Sequence, residues 1–236
     1  FNVNSRTYSL DGGPVLNFPV SVPLDMVTAI TINAAAGDDV MKIGAFTASL
    51  PDLTINGGTG DDAVNFNGGI TFAANANLDV DLQNDDATPG TDRVEVGLNV
   101  ELLLSGTGSA TIKVSRDVVL NSSAVIETQN GNLTVEANQQ ATPTTGNFVG
   151  VDVNNSQIRC IGTGVVAVTG KGGASSDDVN HGVSVNGTNA LIRSSDGAVS
   201  VTGAGGGIGS SGVNYGVYVA FGGVIASTGS TVTVVG

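Results

Sequence analysis

The feature that most constrains this chain is a long internal period that stays fixed over its second half. Leu133-Thr134-Val135 returns as Val166-Ala167-Val168, as Val199-Ser200-Val201 and as Val232-Thr233-Val234, and Gly170, Gly203 and Gly236 follow the last three at the same interval. A second apolar pair recurs as Val118/Leu120, Val151/Val153, Val183/Val185 and Val217/Val219, at steps of 33, 32 and 34, so that an insertion in one turn is compensated in the next. A fixed period of this length points to a solenoid, in which each coil lays its strands on those of the preceding coil about 4.8 Å away and equivalent side chains stack. Alternation sets the faces: Val, Leu and Ile point inward, while Thr134, Ala167, Ser200 and Thr233 point outward, flanked by Glu136, Thr169, Thr202 and Val235. Between the strands lie turn-forming clusters such as Asn154-Asn155-Ser156 and Lys171 to Asp178.

The N-terminal half repeats on a shorter step. Ile30-Thr31-Ile32-Asn33 is followed by Gly37-Asp38-Asp39, and the same sequence of residue types returns as Leu53-Thr54-Ile55-Asn56 followed by Gly60-Asp61-Asp62. A looser copy runs from Leu78-Asp79-Val80 through an insertion holding Asn84-Asp85-Asp86 and Pro89-Gly90 to Asp92-Arg93-Val94. The reading is an all-β, single-stranded parallel β-solenoid. Its coils are about 23 residues long N-terminally and about 33 C-terminally, and the change is expected near residues 105–115. Residues 30–236 form one continuous unit of about eight or nine coils, a rod about 40 Å long at the strand spacing of a sheet. Residues 1–29, with Pro14, Pro19 and Pro23, stand as an N-terminal cap or an upstream segment.

From about residue 30 onward the chain resembles the large repetitive extracellular proteins of bacteria, of the filamentous-haemagglutinin-like and pectate-lyase-like right-handed β-helix type. The resemblance lies in architecture and repeat style, and implies a secreted or surface-attached bacterial protein with an adhesive or matrix role. One segment is similar to a narrower family: Gly57-Gly58-Thr59-Gly60-Asp61-Asp62-Ala63-Val64-Asn65 fits the calcium-binding nonapeptide of secreted RTX proteins at every defined position, and Ala34 to Lys42 fits it in part. That resemblance implies calcium as a cofactor, with Asp38, Asp39, Asp61 and Asp62 aligned in a column on one edge as its ligands. Ca²⁺ takes six or more hard oxygens. The spacing differs from the family, whose repeats run directly in tandem, nonapeptide after nonapeptide. The alternative is that these aspartates accept backbone hydrogen bonds in tight turns and keep a rod soluble.

Charge and residue inventory exclude several functions. A net charge of −13 repels phosphate backbones, so no nucleic-acid partner is expected. No run of about 18 apolar residues occurs, so no membrane-spanning helix is expected. Cys160 is the single cysteine, which rules out an internal disulfide and a cysteine-based zinc site. His181 is the single histidine and aligns with Tyr215, which reads as a tolerant turn position beside Asp177 and Asp178. Asn121, Asn154 and Asn186 each open an Asn-x-Ser/Thr acceptor pattern, read as a chance match in Asn/Ser-rich turns. Arg159 and Arg193 recur in successive coils, and with Lys171 they are the basic residues to weigh for glycan chemistry. Few acidic partners accompany them beyond Asp152, Asp177, Asp178 and Asp196.

No enzymatic activity is expected. The functional reading is a structural or adhesive extracellular module, part of a repetitive surface protein or a subunit of a self-assembling fibre or matrix. The alternative is a polysaccharide-binding or polysaccharide-cleaving β-helix. Partners are either further copies stacked end to end or a cell-surface or matrix polysaccharide. The uncharged run Thr231, Val232, Thr233, Val234, Val235 is the assembly surface, because unpaired strand edges recruit other strands. The small outward residues from Thr134 to Thr233 form a flat face suited to lateral packing.

Overall fold

The computed structural model describes residues 27–83 and 90–236, and residues 6–11 by backbone alone. The three prolines of the N-terminal stretch, Asn84-Asp85-Asp86 and Pro89 lie outside the described residues. Among those described there is no helix, and every strand pairing is parallel. The chain is a parallel β-solenoid of three sheets. The first sheet has nine strands, from Arg6–Asp11 to Val232–Val235; the second has seven, from Val40–Ile43 to Val217–Ala220; the third has six, from Ile70–Thr71 to Val224–Ser227. At about 4.8 Å per strand, nine strands span about 38 Å along the stack.

Each complete coil contributes one strand to each sheet, and strict register turns sequence repeats into columns. Leu133, Val166, Val199 and Val232 stack, as do Val135, Val168, Val201 and Val234. In the second sheet Val118, Val151, Val183 and Val217 form one inward column, and Leu120, Val153, Val185 and Val219 the other. The third sheet adds a column of Ile70, Leu102, Ile126, Ile158, Ile192 and Ile225. These columns meet in one continuous apolar core. Each buried Val, Leu or Ile contributes about 1.5–3 kcal/mol by leaving water, so repetition multiplies a modest local gain.

Coil length alternates more than the sequence reading expects. A short coil separates the register partners Ile30 and Leu53, and a long one separates Leu78 from Ala110. A short coil then returns between Ala110 and Leu133, and only from Leu133, through Val166 and Val199 to Val232, does the long step hold. The lengthening thus falls after a short coil in mid-chain rather than at residues 105–115. Loops absorb the difference without disturbing the columns, because only strand register is fixed by stacking.

The repeated glycines mark where backbones approach most closely. A Cβ at Gly170 would lie 2.2 Å from Gly182 O, and one at Gly203 would lie 1.9 Å from Gly216 O. The corner between the first and second sheets therefore admits only glycine at this level.

Candidate functional sites: an aspartate ladder and a polar groove

The nonapeptide-like segments form the corner between the first and second sheets in the N-terminal coils. Their glycines serve close packing of coil on coil. Gly58 has φ +102° and a Cβ there would meet Ala35 O at 1.8 Å; Gly60 has φ +132° and a Cβ would meet Gly37 O at 2.4 Å. In the preceding coil Ala35 occupies the left-handed region at φ 75°.

The four predicted aspartates fall into two columns, as the short N-terminal step requires, and both columns accept amide N–H groups from neighbouring coils. On the exposed side, Asp61 N donates to Asp38 Oδ1 at 3.0 Å, and Thr91 N donates to Asp61 Oδ1 at 2.8 Å. On the buried side the direction reverses. Asp39 N donates to Asp62 Oδ1 at 3.0 Å, Asp62 N to Asp92 Oδ1 at 2.6 Å, and Asp92 N to Ser115 Oγ at 3.0 Å. The Ser115 hydroxyl is within donating distance of Asp92 Oδ2 (2.7 Å) and Gly90 O (2.9 Å). Asp39, Asp62 and Asp92 are buried, so these charge-assisted bonds satisfy amides that water does not reach.

In this arrangement amides aim their positive ends at the carboxylates of Asp38, Asp61, Asp62 and Asp92, and among the described residues no group of three or more Asp, Glu, His or Cys side chains is placed to hold a metal ion. A counterpart that is neutral apart from Asp52 does the same task at the corner leading back into the first sheet. There Asn77 N donates to Asp52 Oδ1 at 2.7 Å, Ser109 N to Asn77 Oδ1 at 2.9 Å, Asn132 N to Ser109 Oγ at 3.1 Å, and Val165 N to Asn132 Oδ1 at 3.0 Å. Side-chain oxygens that bridge coils are a general device of this rod, and at one corner most of them belong to aspartate.

The remaining sequence candidates are placed as follows. His181 is buried; its Nδ1 accepts the Tyr215 N–H at 3.1 Å, which puts the imidazole proton on Nε2. Its ring stacks on Tyr215 and Tyr218 with centroids 5.4 and 4.6 Å away, and burial pushes its pKa below the usual histidine value. Asp178 accepts the Gly212 N–H at 2.5 Å. Arg159 and Arg193 are register partners in the third sheet. Arg159 forms an ion pair with Glu127 at 2.6 Å, and Arg193 donates to Thr228 Oγ1 at 3.1 Å. Cys160 is buried in the inward column that continues as Ser194 and Ser227. Asn154 and Asn186 are register partners, and Asn121 holds the equivalent place after Leu120; the three acceptor patterns are therefore one turn repeated in three coils.

Sequence reasoning missed a groove on the outer side of the second sheet. Glu95, Val119 and Asp152 are consecutive in one outward column, so the short Val119 lies between two longer carboxylates. The resulting groove, of about 590 Å³, is continued by Asn67, Asn121 and Asn154 at the strand ends and by Leu98, which is 65% exposed. Asn121 Nδ2 donates to Glu95 Oε1 at 2.7 Å. Burial pushes the Asp152 carboxyl above its ordinary range, and the nearby Asp117 adds to this, while a hydrogen bond with Ser184 offsets part of it. Asp117 is itself raised by burial, partly offset by Arg93 and Arg116, whose guanidinium nitrogens lie 3.7 and 3.5 Å away. Arg93 is shared between Asp117 and Glu95, its Nη2 lying 3.9 Å from Glu95 Oε2, while no Lys or Arg among the described residues lines the groove itself. The signal available in the sequence was the triplet Glu95, Val119, Asp152, but its unequal spacing becomes a column only once the coil lengths are known.

Compared with known proteins, the chain matches no family model, no curated protein and no solved structure. Its fold is defined by its own topology.

Proposed function

We propose that the chain is a structural or adhesive extracellular module, a segment of a repetitive surface rod or fibre. One observation carries this reading: inward apolar residues stack in unbroken register from coil to coil, as in Leu133, Val166, Val199 and Val232 and in Val135, Val168, Val201 and Val234, which supports a rod extended by laying coil on coil. An unpaired strand edge of such a stack is a template for another coil. No helix among the described residues is long and apolar enough to cross a membrane. Secretion to a bacterial surface rests on the resemblance in repeat style.

The test is to append one more coil copied from residues 204–236, which continues the Val232 and Val234 columns in register. The extended chain melts at higher temperature, and the parent associates end-on as its concentration rises, as seen by sedimentation and electron microscopy. No gain in Tm, together with monodisperse parent rods at high concentration, overturns the reading.

A further inference from the structure

We propose that Asn186 is an acceptor for N-linked glycosylation. Of the Asn-x-Ser/Thr turns, its own is the one whose folded geometry leaves both the carboxamide and the hydroxyl open. A sugar is expected on a secreted chain, so the inference rests on the extracellular part of the reading above. Its test reads a single turn of the folded chain and is indifferent to where the rod is found or how it assembles.

The acceptor patterns occupy equivalent turns between the second and third sheets, yet those turns differ in length. Asn154 and Asn186 are register partners, and so are Gln157 and Leu191, which open the next strand. Asn155 and Ser156 alone join the first pair, whereas Gly187, Thr188, Asn189 and Ala190 join the second. The longer turn, with Gly187 at φ +109°, leaves Thr188 and Asn189 exposed.

The other two patterns each lack a group that a transferase must reach. In the shorter turn Ser156 is buried and its hydroxyl donates to Leu120 O at 3.1 Å. Asn154 Oδ1 also accepts from Asn155 Nδ2 at 3.2 Å. In the turn of Asn121 the hydroxyl residue Ser123 is exposed, but the reacting nitrogen is engaged: Asn121 Nδ2 donates to Glu95 Oε1 at 2.7 Å. Asn186 is half-buried, and among the described residues no hydrogen bond holds its carboxamide. Its register partner in the following coil is Ala220, a side chain too short to cover it.

The step needs a glycosyltransferase and a glycosyl diphosphate donor. Asn186 Nδ2 forms a bond to the anomeric carbon, the bond from that carbon to the diphosphate oxygen breaks, and the diphosphate leaves with the electron pair. The nitrogen loses one proton, and nothing is oxidised or reduced. A bulky, hydrated sugar at this edge would bar it from packing against another rod and leave lateral contact to the other faces.

The experiment incubates the intact, folded chain with UDP-glucose and a purified asparagine glucosyltransferase that reads Asn-x-Ser/Thr, followed by intact-mass measurement and peptide mapping. A single hexose is expected, on Asn186, with Asn121 and Asn154 left unmodified. Asn186→Gln and Thr188→Ala each abolish the mass gain, with the melting transition retained. A chain that takes no sugar overturns the proposal. So does occupancy of Asn121 or Asn154 equal to that of Asn186, or full modification of the Thr188→Ala variant.

Discussion

The two ends of this rod share one spine and finish it differently. At the N-terminal end the Arg6–Asp11 strand lies on the strand of Ile32, which is buried together with Met41 and Ile43, and the Asp39–Asp62–Asp92–Ser115 ladder ties their coil to the next three. At the C-terminal end the same kind of columns run out bare at Val232 and Val234, and the last complete coil carries Tyr215, Tyr218 and Phe221. The left-handed turn position makes the contrast sharper. Asn99, Ser123, Asn155 and Gly187 fill it in four coils, and Phe221, 75% exposed, fills it in the last with φ 51°. A bulky residue there is held against its steric preference. A column therefore has no stability of its own: the coil above sets what each member contributes.

The contrast breaks most visibly if equivalent positions behave alike. Val201→Lys buries a charge in the core and is expected to unfold the chain, a loss above about 4 kcal/mol, whereas Val234→Lys one coil on changes stability by about 0.5 kcal/mol or less; urea titration distinguishes them. Next in size, Asp62→Ala removes the acceptor of the Asp39 amide and is expected to cost about 2 kcal/mol, with Asp62→Asn recovering part because its Oδ1 still accepts. Melting with and without chelator tests calcium at the same aspartates: an unchanged curve is expected where amide hydrogen bonds alone hold the ladder.

Between the ends, Asp152→Asn raises Tm at neutral pH. The folded-state pKa of Asp152 lies above the ordinary 3.8, so the native state holds this proton more tightly than the unfolded chain. The protonated form favours folding at low pH, and that contribution is lost as pH rises through the folded-state value. The advantage of the variant should therefore close as pH falls below 3.8. The smallest effects concern strain: Ala35→Gly at one end and Phe221→Gly at the other each relieve a left-handed conformation and stabilise by about 0.5–1 kcal/mol, measurable by chemical denaturation.

Much of this architecture is legible in the residues. The columns through Val135 and Val153 follow from a constant step between apolar pairs, and so do the outward Thr134, Ala167, Ser200 and Thr233. The third sheet is harder to read, although Ile126, Ile158, Ile192 and Ile225 recur at nearly the same interval as those pairs. Each strand offers only one isoleucine in the column between partners as varied as Thr128, Cys160 and Ser194. The aspartates are visible as a repeated pair, but not the reversal by which Asp38 accepts from the following coil while Asp39 donates to it.

Sequence by itself determined the period, the alternation and hence the parallel stacked fold, because inward apolar residues at one step per coil are buried together only when coils lie in register. Tertiary structure alone decided which coils are long, that Asp38, Asp61, Asp62 and Asp92 serve amides, and that Glu95 and Asp152 flank Val119 across a groove. Those outcomes depend on the summed lengths of all intervening loops. A loop's length costs little free energy and leaves no mark on the strands it joins.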